Sequence, residues 1–281
     1  MDIGNPIDFT GRAVIVTGGT KGIGAAIAEA FLAAGAEVLV CGRGEPPELP
    51  GSGAHRAHFR SADVRDPAAA AGLADEAVQR FGRLDVLVNN AGGSPDADAA
   101  TVSPRFVEKI VALNLLAPFY VSQAANRIMQ GQRDGGSIVN IGSVSAHTPQ
   151  PGTAAYTAAK AGLLGLTRAL ALEWAPKVRV NHITTGLVRT PSAASVYGED
   201  GGAAVAGVVP MRRMAAPADV ARACLYLAGD LAGYVNGADL AVHGGGEVPA
   251  RFLAAKRGPG DGGDGGDGGD EARGSRPQEP R

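Results

Sequence analysis

Tyr156 and Lys160 stand four residues apart in the stretch Tyr156-Thr157-Ala158-Ala159-Lys160. On a helix that spacing puts both side chains on one face. A phenol in water titrates near pH 10, too high for proton exchange at neutrality. An ammonium one turn away favours the phenolate and lowers that value, each unit corresponding to about 1.4 kcal/mol. The pair is therefore a candidate acid–base centre. Alone it is also the pattern of an exposed helix face with a packed tyrosine, so the elements around it decide.

A second constellation lies near the N-terminus. Residues 12–17 (RAVIVT) form a short β-branched run and read as a buried parallel strand. The run enters Gly18-Gly19-Thr20-Lys21-Gly22-Ile23-Gly24 and then a helical pattern over 25–34. Strand, glycine turn and helix are the setting of a phosphate-binding loop. Glycines let backbone approach a pyrophosphate, and the helix start offers free N–H groups and a positive dipole end. The second strand, 36–41, ends in Cys41-Gly42-Arg43, with no acid to meet a ribose 2′-hydroxyl. Arg43 and Lys21 could pair with a 2′-phosphate instead, which favours NADP(H) and leaves NAD(H) possible.

Residues 44–54 (GEPPELPGSGA) are too rich in Pro and Gly for a full crossover helix. A third strand is predicted over 55–62, ending at Asp63-Val64, and a Pro-started helix over 67–81. A fourth strand, 84–88, leads to Asn89-Asn90-Ala91-Gly92-Gly93. A long helix over 104–129 is interrupted near Asn114 and Pro118, and Asn114 is a polar intruder in an apolar stripe. A fifth strand, 137–141, runs into Gly142-Ser143-Val144-Ser145. Helix 156–174, strand 178–183, helix 217–228 and strand 239–242 complete the alternation. Such alternation indicates one doubly wound parallel sheet flanked by helices. Residues 192–209 are small and read as a mobile substrate lid. The folded domain is expected over 1–255. The Gly-Gly-Asp repeats and polar residues of 256–281 cannot bury enough surface to fold and read as a disordered tail.

Composition narrows the function classes. With 281 residues, 45% of them hydrophobic, the chain can bury a large core. A net charge of -2 gives no electrostatic case for nucleic acid or an anionic membrane. No apolar run reaches the roughly 18 residues of a membrane span, and Met1-Asp2-Ile3-Gly4-Asn5-Pro6 lacks the basic start and apolar core of a signal peptide. Cys41 and Cys224 sit in apolar segments without metal-ligand spacing. Two buried thiols and a cytoplasmic setting are expected. His55 and His58 have no partner at ligand spacing and read as a solvated strand edge.

Over residues 9–250 or so, the sequence closely resembles the short-chain dehydrogenase/reductase family, of Rossmann-like fold. The glycine loop 17–24, Asp63-Val64, Asn89-Asn90-Ala91-Gly92, Ser143 thirteen residues before Tyr156-x-x-x-Lys160, and Asn181 followed by Gly186 and Thr190 occur in the family's order. The resemblance implies an NAD(P)(H)-dependent oxidoreductase that interconverts a secondary alcohol and a ketone, such as a 3-oxoacyl thioester or steroid-like ketone. In it Tyr156 would be the acid–base group. Lys160 would lower the tyrosine's pKa and bond the nicotinamide ribose, and Ser143 would hold the substrate oxygen. Asn114 would anchor a water linking Lys160 to solvent. Gly18, Ile23 and Gly24 would cradle the pyrophosphate, with Thr20 and Gly22 in the same loop. Asp63 and Val64 would meet adenine, Asn90, Ala91 and Gly92 would line the groove, and Val188 and Thr190 would meet the carboxamide. Members commonly form dimers and tetramers through the helices around Asn114 and Tyr156, so a homo-oligomer is implied.

Three departures from the family pattern are visible. Thr185 stands where Pro is frequent, which implies a looser turn beneath the nicotinamide. His243 stands where an acid is frequent, and the crossover helix is missing at 44–54. The competing function class is a cofactor-binding sensor or scaffold without turnover. Ser143, Asn114, Tyr156 and Lys160 together speak against it.

Overall fold

The computed structural model of the chain describes residues 7–191, 197, 202–249 and 251–252. By its contacts the chain divides into a unit ending at Glu247 and a second from Val248 onward; the fold and the site belong to the first. The tail 256–281 lies outside the described residues, as do 192–196 and 198–201 of the proposed lid. The end of that segment forms a short helix, Ala203–Val208.

Nine strands and seven α-helices are described. The strands are β1 (Ala13–Thr17), β2 (Glu37–Gly42), β3 (Gly51–Ser52), β4 (His55–Arg56), β5 (His58–Ser61), β6 (Val86–Asn89), β7 (Gly136–Ile141), β8 (Val178–Thr185) and β9 (Asp239–Val242). The helices are α1 (Gly22–Ala33), α2 (Pro67–Phe81), α3 (Pro104–Val111), α4 (Ala117–Gly131), α5 (Ala154–Trp174), α6 (Ala203–Val208) and α7 (Pro217–Ala228). Seven strands form one sheet in the order β5-β2-β1-β6-β7-β8-β9, and every pairing in it is parallel. This is the doubly wound, Rossmann-like sheet. The strand order reverses between β1 and β6, and ligands of such sheets bind in the crevice at the carboxyl ends there.

The period of two along each strand builds two cores from one apolar run. Val14 and Val16 of β1 face a cluster holding Phe31 of α1 and Cys224 of α7. Ile15, between them, faces the opposite cluster with Leu73 of α2, Val121 of α4 and Leu170 of α5. Both thiols are buried and unpaired, and burial pushes Cys41 up to about 11.

Local signals place the helix starts. Pro occupies the first turn of α2, α3 and α7, where its missing N–H leaves no donor unsatisfied. Asp66 caps α2 by accepting the Ala68 N–H at 2.9 Å, and Gly82 ends it in the left-handed region at φ 75°. Two elements differ from the sequence reading. The strand predicted over 55–62 starts at His58, because His55 and Arg56 pair antiparallel with Ser52 and Gly51 instead. Gly53, at φ 57°, makes that small turn possible, and no helix lies between β2 and β5. The helix predicted over 104–129 is continuous through its interruption, which is a π segment, Ala112–Leu116. None of the described helices is long and apolar enough to cross a membrane.

Candidate active site

Ser143 leaves the end of β7 in an extended conformation and caps the 3₁₀ turn Val144–Ala146. Its Oγ accepts the Ser145 N–H at 3.1 Å. Tyr156 and Lys160 lie in the first two turns of α5. The Tyr156 phenol lies close enough to Ser143 and to Tyr197 for each to act on its titration. Lys160 is 4% exposed. Its Nζ donates to the Ile141 carbonyl at 2.7 Å and lies 5.7 Å from the centre of the Tyr156 ring.

The electrostatics correct one expectation. The Tyr156 pKa is raised, not lowered. Burial pushes it above its ordinary value, against the opposing effect of Ser143. Burial also brings Lys160 down to about 8. Desolvation disfavours charge on both groups, and the ammonium is directed at the Ile141 carbonyl. Sequence spacing shows that two side chains share a helix face but not how much water that face excludes.

Asn114 is fully buried within the π segment. There Ala117 N–H reaches back to Ala112 O, five residues away, as in π-bulges that occur at functional sites. The Asn114 amide donates to Ile110 O at 2.9 Å and Gly93 O at 3.0 Å, and its Oδ1 accepts the Gly93 N–H at 2.9 Å. A Cβ added to Gly92 would lie 2.8 Å from Asn114 Oδ1 and 3.4 Å from Lys160 Nζ. The two side chains thus converge on one point that only a glycine leaves open.

A groove of about 740 Å³ opens at the reversal of strand order. It is lined by Gly18, Thr20, Lys21, Gly22, Ile23 and Gly24 from the glycine loop, by Arg43 after β2, and by Asp63 and Val64 after β5. Asn90, Ala91 and Gly92 after β6, and Thr190 after β8, line it too; of the predicted set, Val188, Tyr156 and Lys160 do not. Thr17 laces the loop to the β6 turn: its Oγ1 accepts the Asn90 and Ala91 N–H groups, both at 3.0 Å. The Asn90 amide returns to Thr17 O and Gly18 O, at 3.0 and 3.1 Å. A Cβ on Gly24 would sit 2.3 Å from Gly18 O, so no side chain fits there. The N-cap of α1, Lys21, makes no side-chain cap bond, and the first turn carries no acid. The helix therefore presents free N–H groups to an anion. These features suit a dinucleotide lying with its pyrophosphate over α1.

Three positions differ from expectation or escaped it. Val188 does not line the groove; it is buried in the core and bridges Ala215. Thr185 ties the chain down rather than loosening it, since its hydroxyl donates to Gly142 O at 2.8 Å. Arg65, which was not singled out, lines the groove and grips Asp63 with Nε at 2.9 Å and Nη2 at 2.5 Å. Chiefly through that hydrogen bond, Arg65 holds the Asp63 carboxyl down at about 2. An Asp and an Arg two residues apart in a turn were the available signal.

Comparison with known proteins agrees with this geometry. The family model described as enoyl-(acyl carrier protein) reductase matches residues 18–247. The D-threitol dehydrogenase of Mycolicibacterium smegmatis is 36% identical over 243 residues, 84% of this chain and 92% of the relative. The 3alpha-hydroxysteroid dehydrogenase of Mediterraneibacter gnavus is 35% identical over 247 residues, 83% of this chain and 96% of the relative. The ligand-free structure of Thermoplasma acidophilum aldohexose dehydrogenase superposes with a TM-score of 0.78 at 31% identity, covering 90% of this chain and 97% of that one. With the serine, tyrosine and lysine gathered beside a glycine-loop groove, and with relatives matched over nearly their whole length, the chain belongs to the short-chain dehydrogenase/reductase family of oxidoreductases.

Proposed function

We propose that the protein interconverts a secondary alcohol and a ketone with NADP(H), with NAD(H) as the weaker cofactor. The observation that carries the reading is Tyr156 held near Ser143 and 5.7 Å from buried Lys160, whose ammonium is close to Gly92 of the groove. The cofactor, when bound, supplies or takes the hydride. Ser143 and Tyr156 then hold one substrate oxygen between them. As negative charge develops on that oxygen their two O–H groups stabilise it, and Tyr156 transfers its proton there. In the oxidative direction Tyr156 takes the proton back. Lys160 holds positive charge beneath the phenol, and Asn114 keeps the Gly93 backbone in place beside it.

Arg43 and Lys21 on the groove, with no acid at the end of β2, support a 2′-phosphate. The names of the relatives include a polyol, a steroid and an aldohexose dehydrogenase. A hydroxyl-bearing carbon is their common denominator, and an apolar ketone remains the substrate class proposed. A homo-oligomer in a reducing cytoplasm completes the reading. It is supported by exposed apolar side chains on α5 and α7 and by two unpaired thiols.

The test combines NADPH or NADH with acetoacetyl-CoA, a 3-oxosteroid and cyclohexanone, following cofactor absorbance. Consumption of NADPH with a Michaelis constant below that for NADH is expected. Tyr156→Phe should lower kcat at least a thousandfold while NADPH binding, read by fluorescence, changes less than about threefold. Cofactor binding without turnover across the panel would favour the sensor, and a Tyr156→Phe variant at wild-type rate would remove the phenol from the chemistry.

A further inference from the structure

Behind the Ser143 turn lies a polar cluster that the reading above does not use. Asp239 of β9 is the register partner of His182 on β8. Its Oδ1 accepts from His182 Nδ1 at 2.8 Å and from the Thr184 hydroxyl at 2.7 Å, and its Oδ2 accepts from His147 Nε2 at 2.9 Å. An ionised carboxylate only accepts, so both imidazoles turn an N–H toward it. Against the burial that opposes ionisation, the bonds from His182 and Thr184 hold the Asp239 carboxyl below its ordinary value. Burial lowers the pKa of His182 and favours its neutral ring. With Nδ1 protonated, its Nε2 is left without a partner.

Both histidines reach the chain on either side of Ser143. The fully buried His182 ring lies against Gly142, where an added Cβ would be 2.0 Å from Cε1. The Gly142 N–H donates to Ile183 O at 2.8 Å, and its carbonyl accepts the Thr185 hydroxyl at 2.8 Å. The residue before Ser143 is thus fixed by β8 through two bonds and one packed ring. On the other side, His147 ends the 3₁₀ turn that Ser143 begins, and its ring is tied to the same carboxylate. Ser143 Oγ is bonded to an N–H within that turn, so the direction of its hydroxyl follows the turn's backbone.

We propose that Asp239, with His147 and His182, is the positioning unit for Ser143 and keeps its hydroxyl in register with the Tyr156 phenol. The proposal rests on the role given to Ser143 above. None of the three residues meets the reacting oxygen; they act through the backbone at 142 and 147. A displacement of about 1 Å at a catalytic group can reduce rate a hundredfold.

The test uses His147, whose half-exposed side chain can be changed without opening the core. Kinetics with NADPH and the best ketone of the panel would compare Ser143→Ala, His147→Ala, His147→Gln and the double variant Ser143→Ala/His147→Ala. His147→Ala should lower kcat about tenfold with NADPH affinity unchanged. His147→Gln, which returns an N–H to the Asp239 carboxylate, should recover kcat to within about threefold. The double variant should be no slower than Ser143→Ala alone, within about twofold, because the two residues then act on one contact. Losses that multiply, a failed rescue by Gln, or wild-type kcat for His147→Ala would overturn the proposal. Wild-type kcat for Ser143→Ala would reject the role of Ser143 and the positioning unit with it, a result that does not depend on any His147 variant.

Discussion

Lys160 is the residue at which stability and the proposed function oppose each other. Its ammonium is buried with a single carbonyl partner described, and its pKa falls from 10.5 to about 8. By linkage that shift corresponds to about 3 kcal/mol of stability lost while the group is charged in both states. The loss is complete below pH 8. Between pH 8 and 10.5 the unfolded chain still holds the proton that the folded chain has released, so folding grows more favourable with rising pH. Replacing a buried charge by an apolar side chain of similar length can stabilise a fold. Lys160→Met should therefore raise the thermal midpoint of the cofactor-free protein at pH 7 by about 5 °C and abolish turnover. The difference from wild type should shrink as the pH of the melt is raised from 8 toward 10.5. A midpoint difference that is constant across that range would show that the ammonium is not the cause.

At the scale of elements, the glycine loop and the β6 turn act as one piece because Thr17 and Asn90 bond them reciprocally. Gly24 is where α1 passes under that joint: a Cβ would lie 2.3 Å from Gly18 O and 2.5 Å from Asn90 Nδ2. One contact is backbone, so the loop must move. Overpacking of this kind costs about 1–3 kcal/mol. Gly24→Ala should raise the dissociation constant for NADPH at least tenfold by fluorescence titration and lower the thermal midpoint, while Tyr156→Phe does neither. Unchanged NADPH affinity in Gly24→Ala would separate the loop from cofactor binding. The loop was legible in the sequence because glycines punctuate a strand and a helix with opposite periodicities. Helices α2 and α7 were legible at both ends because Pro marks their starts and Gly82 and Gly229 follow their ends. The β3–β4 hairpin was not, since pairing of His55 with Ser52 is a long-odds choice among polar residues. Nor was the grip of Arg65 on Asp63, which depends on how one turn folds back. The meeting of His147, His182 and Asp239 also escaped notice, because it depends on the register of β8 against β9 and on the path of the chain after Ser143.

At the scale of the whole molecule, large apolar side chains stand exposed on the surface. Leu172 on α5 is 85% exposed, Tyr234 wholly so, and Leu231 and Tyr226 about half. Full burial of one such side chain stabilises by about 1.5–3 kcal/mol, so covering them by a second copy is the expected gain of association. β9 is moreover an outer strand of the sheet, and among the described residues no strand pairs with its far edge. Light scattering on the purified protein at micromolar concentration should give a mass of two or four chains. Tyr234→Asp with Leu231→Asp should shift that mass downward, and the thermal midpoint of the wild type should rise with protein concentration, as it does when folding and association are linked. Asp239 sits on that edge strand, so loss of the oligomer should also loosen the anchor of the Ser143 turn. Dissociation with kcat unchanged would confine the effect of assembly to stability, whereas a parallel fall in kcat without loss of NADPH affinity would tie the edge strand to the chemistry at Ser143.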